Sequence, residues 1–84
     1  MAVSAEEFAN IPSTTKGRAK LEEINQIYRG LLESYRNRPQ SSYSVQEMTD
    51  MGLKVAGATG ASKLLCLKYL GIIEIQKNGS VALL

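Results

Sequence analysis

The stretch Ile72-Ile-Glu-Ile-Gln-Lys-Asn-Gly-Ser-Val-Ala-Leu-Leu84 decides how the rest of the chain is read. Asn78-Gly79 is the pair favoured at the tip of a type I′ hairpin, where both central residues need positive φ. β-branched or apolar residues flank it on both sides. A two-residue loop sets Ile75 opposite Ala82 and Ile73 opposite Leu84, giving the hairpin one apolar face for helices to cover.

Upstream, Gly71 terminates a helix predicted from about Ala58 or Thr59 to Leu70, with Leu64, Leu67 and Leu70 spaced to point inward. Ser44-Val-Gln-Glu47 is a capping box, in which a hydroxyl and a carboxylate each satisfy the other residue's orphan N–H. It opens a brief helix carrying Val45, Met48 and Met51 on one side, with Gly52 as its terminator. Pro39 ends a long helix predicted over Lys16 to Arg36. Its apolar positions Leu21, Ile24, Ile27, Tyr28, Leu31, Leu32 and Tyr35 make a single stripe, and Ser13-Thr14-Thr15 offers its N-caps. Gly17 and Gly30 each weaken that helix by about 1 kcal/mol relative to Ala. A second capping box, Ser4-Ala-Glu-Glu7, marks a short helix or arm over residues 1–15, whose Phe8 and Ile11 dock on a domain of residues 16–84. The expected class is mainly α with a C-terminal β-hairpin, an α+β fold.

Composition narrows the function. A chain of 84 residues makes one domain and buries about 60–65% of its unfolded surface, which leaves no room for a large internal active site. Hydrophobic residues at 44% and charged residues at 21% exclude a disordered chain. There is no histidine and one cysteine, Cys66. A Ser-His-Asp triad, a Cys/His zinc site and an intramolecular disulfide framework are therefore excluded, and no metal, cofactor or catalysis is expected. Cys66 lies among leucines and reads as a packing residue. The N-terminus has neither a positive n-region nor a long apolar run, and no segment has the roughly 18 apolar residues of a membrane span. The location expected is cytoplasmic.

The order of elements resembles that of winged helix-turn-helix domains: a three-helix core followed by a hairpin wing. The residues that carry the resemblance are Ser44-Val-Gln-Glu-Met48, then Leu64-Leu-Cys-Leu-Lys-Tyr-Leu-Gly-Ile-Ile-Glu74, then the Asn78-Gly79 tip. The resemblance implies a protein that binds double-stranded DNA, as a transcriptional or replication regulator, with the third helix in the major groove and the wing on adjacent backbone. It then points to Thr59, Ser62 and Lys63 as groove readers on a stripe that also holds Cys66, and to Lys77, Asn78 and Ser80 on the wing. Lys16, Arg18 and Lys20 at the start of the first helix, with Arg36 and Arg38 at its end, add phosphate contacts.

The net charge of +2 is small, but it is unevenly spread. Residues 16–38 hold six basic and three acidic side chains, and residues 53–84 four basic and one acidic. Each segment is +3, while residues 1–15 and 39–52 are each −2, so a basic pole is compatible with the total. Against this, Ala56-Gly-Ala-Thr-Gly-Ala-Ser62 holds no Arg, Asn or Gln for bidentate base contacts. The alternative reading is a protein-interaction module docking on a polymerase, nuclease or other larger partner through Leu65, Cys66 and Tyr69. Leu31, Leu32 and Tyr35 on the first helix are the expected homodimer surface. The glycines of Gly57-Ala-Thr-Gly-Ala-Ser-Lys63 match neither a complete dinucleotide fingerprint nor the spacing of a phosphate-binding P-loop.

Overall fold

Two of the helices begin where a serine hydroxyl and a glutamate three residues on exchange hydrogen bonds. The Glu7 N–H donates to Ser4 Oγ and the Ser4 N–H to Glu7 Oε1, both at 3.1 Å; Ser44 and Glu47 repeat the exchange at 3.1 Å. The computed structural model describes residues 2–84. It orders them as α1 (Ala5–Ala9), α2 (Ser13–Lys16), α3 (Leu21–Asn37), α4 (Val45–Asp50), α5 (Gly57–Tyr69), β1 (Ile73–Ile75) and β2 (Val81–Leu83). The α+β class with a C-terminal antiparallel hairpin is as expected.

The long helix is shorter than predicted and starts elsewhere. Ser13–Lys16 forms a turn of its own, Gly17 at φ 53 breaks it, and the chain re-enters helix at Leu21. Ser13, Thr14 and Thr15 do not cap α3; the Lys20 N–H instead donates to Glu23 Oε1 at 3.0 Å. Upstream, the Val3 N–H donates to Asn25 Oδ1 at 2.7 Å and Asn25 Nδ2 donates back to the Val3 carbonyl at 3.1 Å. Val3 and Ile11 are buried with the rest of the core. The radius of gyration, 11.7 Å, matches the about 12 Å of a compact domain of this length, so the N-terminal segment is packed in and does not trail.

The hairpin register also differs by one residue. Ile73 pairs with Leu83, Glu74 with Ala82 and Ile75 with Val81. The loop therefore has three residues, Lys77-Asn78-Gly79, with the Gly79 N–H on the Gln76 carbonyl at 2.9 Å and the Gln76 N–H on the Ser80 carbonyl at 2.8 Å. This is a turn followed by a bulge, Gly79 taking φ 87. Ile73 and Val81 now enter the core and Leu84 is left exposed. Tyr43 extends the sheet from the other side. Its N–H and carbonyl exchange hydrogen bonds of 2.8 Å with Val81, an isolated antiparallel bridge.

Ile24, Ile27 and Leu31 of α3, Met48, Leu67, Tyr43, Ile73 and Val81 meet in the centre, each large side chain contributing about 1.5–3 kcal/mol by burial. Helix α5 packs against α2, α3 and β1. It reaches that position because Gly60 is buried against the backbone of Val55, where a Cβ would collide with the Val55 carbonyl. Gly60→Ala is expected to destabilise by about 3 kcal/mol or more, since backbone cannot yield as a side chain can. Urea unfolding checks this, and a loss within 0.5 kcal/mol, the range of roughly neutral surface changes, would refute the close approach.

Candidate functional site

Helix α5 has two unlike sides. Gly60, Lys63, Leu64, Cys66 and Leu67 are buried, whereas Ala58, Ala61, Leu65, Lys68 and Tyr69, spaced by threes and fours, face out, with Ser62 half-buried at their edge. The expected outward stripe of Thr59, Ser62, Lys63 and Cys66 is thus corrected: Lys63 and Cys66 face inward and Thr59 is exposed in the first turn. Cys66 is covered by α2, whose Thr15 carbonyl it faces, and Lys63 is taken inward by partners on α3 and the loop before α5. Sequence reasoning missed Ala58, Ala61 and Lys68. With Leu64, Leu65 and Leu67 all in the same turns, the apolar pattern did not set the helix phase.

Lys63 is held from two directions. Its Nζ donates to the Lys54 carbonyl at 3.2 Å and lies 3.5 Å from Glu23 Oε2. The same Glu23 carboxylate caps α3 through Lys20, so one side chain ties the start of α3 to α5 and to the loop before it. An ammonium so buried and so engaged is a tether between elements and does not reach a nucleic acid. Ser80 is likewise corrected: it is buried, and its N–H donates to Asn78 Oδ1 at 3.0 Å inside the hairpin loop. Lys77 and Asn78 are exposed at the tip.

The basic residues of the N-terminal segment stand beside α5. A Cβ on Gly17 would lie 2.8 Å from Ser62 Oγ, so the backbone just before the exposed Arg18 passes close to the edge of the outward face of α5. Lys16 Nζ sits 4.8 Å from the centroid of the Phe8 ring, a cation–π contact. Arg36 and Arg38 do not join this group. They lie roughly 20 Å along α3 from Glu23, the end that meets Lys63. Of the residues expected to contact protein, Leu31 and Cys66 are corrected to core positions with no exposed surface. Leu32 is half-buried, and Tyr35, Leu65 and Tyr69 are exposed.

Two buried acids are shifted. Burial pushes the Tyr43 hydroxyl above the ordinary 10.0, against the opposing pull of a hydrogen bond to the backbone at Gln40. Burial likewise pushes the Cys66 thiol above 9.0, while the Lys16 charge draws it partly back. The Cys66 sulfur faces the Thr15 carbonyl of α2 at 4.0 Å. Among the described residues no group of His, Cys, Asp and Glu side chains could hold a metal ion, and no helix is long and apolar enough to cross a membrane.

A family model described as a protein of unknown function (DUF3161) matches residues 2–77. The chain belongs to this family. The match takes in all five helices and β1 and ends inside the hairpin loop. Neither the curated proteins nor the solved structures hold a match.

Lys63→Ala is expected to destabilise by about 1–3 kcal/mol, because it leaves the Lys54 carbonyl without its partner; Lys77→Ala at the exposed tip stays within about 0.5 kcal/mol. Urea midpoints of the two variants make the comparison. The raised pKa values carry a further expectation. Both groups hold their protons more tightly when folded, so their contribution is full below the unfolded values of 9.0 and 10.0 and is lost as pH rises past them. Unfolding free energy should therefore fall as pH rises past 9.0 and fall further above 10.0, and Tyr43→Phe should flatten the later part of that fall.

Proposed function

We propose that this protein is a non-catalytic, cytoplasmic winged-helix domain that binds double-stranded DNA as a transcriptional or replication regulator, with α5 as the helix in the major groove. The succession of a long helix α3, a short capped helix α4, a third helix α5 and a terminal hairpin supports this reading, being the order on which the resemblance rests. The observation that carries the functional reading is the contact between Gly17 and Ser62. In this reading Arg18, next in the chain after Gly17, reaches the border of a helix face of Ala58, Ala61 and Ser62, small enough for a duplex to approach closely. Binding of this kind rests on phosphates and groove shape more than on base edges. The first turn of α5 has no acidic residue and no side-chain cap, which suits a neighbouring phosphate. Lys77 and Asn78 at the tip are the wing contacts in this reading; Lys63 and Ser80 are support.

A second reading has its own observation. Leu65 and Tyr69 stand 42% and 54% exposed on the later turns of the same face, as a protein-docking helix would present them. Leu32 and Tyr35 on α3 remain the homodimer surface in either case. Titration into random-sequence duplex at two salt concentrations separates the readings. A DNA binder weakens steeply with added salt, and Arg18→Ala and Lys77→Ala each lower the affinity and reduce the salt slope by about one unit. Absence of binding at low salt would overturn the DNA reading and leave the Leu65–Tyr69 face as the working surface.

A further inference from the structure

At the far end of α3 from Lys63, the last turn of that helix and α4 border an open surface cleft of about 340 Å³, a volume within the range of small-ligand pockets. Its charged lining is of both signs: Arg38 from the α3 end, Glu47 and Asp50 from α4, with Asn37, Gln40 and the largely buried Tyr43 also bordering it. The single ion pair among the described residues is that of Lys63 with Glu23. No Arg38 nitrogen therefore comes within 4.0 Å of either carboxylate, although all three groups face the same space.

The carboxylates keep capacity for a ligand. Asp50 accepts from Gln46 Nε2 at 2.9 Å through Oδ1 alone, and Glu47 Oε1 takes the Ser44 N–H at 3.1 Å. With its amide turned to satisfy its neighbours, Gln40 donates to Glu47 Oε2 at 3.0 Å. A carboxylate has about four lone-pair sites, so both acids can accept further. Arg38 brings a planar fork of donors with no partner among the described carboxylates. A ligand of one sign would be attracted at one end of this cleft and repelled at the other. A small molecule with both charges a bond or two apart meets both ends favourably.

We propose that this cleft binds a small zwitterion of the α-amino-acid class, its carboxylate on Arg38 and its ammonium on Asp50 and Glu47. The ligand would border Tyr43, the residue whose backbone holds Val81 of the hairpin. Nothing in this assignment depends on whether α5 binds DNA.

The test is thermal unfolding of the full chain with each of the twenty common L-amino acids, and with acetate and methylammonium as single-charge controls. An amino acid present at about five times its Kd raises Tm by roughly 4–8 °C, and the controls leave it unchanged. Arg38→Gln and Asp50→Asn, both exposed positions without an ion pair, each abolish the shift while the ligand-free Tm stays close to that of the parent. Amide chemical shifts on titration should move at Asn37, Tyr43 and Asp50. The proposal is overturned if no amino acid shifts Tm, if acetate or methylammonium shifts it equally, if the shift survives both substitutions, or if the moving amides lie elsewhere. Should one variant fail to fold, the other variant and the amide map decide.

Discussion

The approach of Gly60 to the Val55 backbone sets the place of α5, and most of the molecule is arranged around α5. Any side chain at position 60 would lift the helix off the loop that precedes it. The turn at α2, the start of α3 and the first strand all contact α5. Because Lys63 lies three residues further along, the same placement brings its ammonium to the Lys54 carbonyl and the Glu23 carboxylate. Close packing and ion pairing thus act on one helix turn, the first bringing the backbones together and the second fixing the direction in which the helix leaves the loop.

How far the fold was legible depended on whether a local signal had one structural meaning. Ser4-to-Glu7 and Ser44-to-Glu47 have one, and both boxes form as read. Asn78-Gly79 has two. The pair suits a two-residue I′ tip, but it equally ends a three-residue loop in which glycine takes the left-handed position. The observed hydrogen bonds select the second, moving every cross-strand partner by one residue. The start of the long helix was obscured for a related reason. Ser13, Thr14 and Thr15 are good caps, and nothing upstream shows that Gly17 turns the chain against Ser62 before helix resumes.

The candidate site was legible in its location but not in its phase. Helix α5 carries apolar residues on several sides, so periodicity alone permitted Lys63 and Cys66 to face outward or inward. For Cys66 the choice is made by α2, a four-residue turn too short to leave a periodic signal, and for Lys63 by Glu23 and the Lys54 carbonyl. The surface that results is less basic than the sequence suggests. One lysine of α5 is consumed internally, and the arginines at the end of α3 belong to another region. What remains near α5 is a small-sided helix face with a cationic border, a surface suited to shape and backbone contacts.

The burial of Cys66 also gives the molecule an internal gauge. It is the only thiol in the sequence and has no exposed surface, seated under the carbonyl of Thr15. A thiol reagent can reach it only when α2 moves away from α5 or the whole domain opens. The rate of its modification under native conditions therefore reports how readily that seam opens: the open fraction when reclosing is fast, and the opening rate when the reagent is faster. Comparing that rate with global unfolding would tell whether the edge of the α5 face detaches by itself or only with the core.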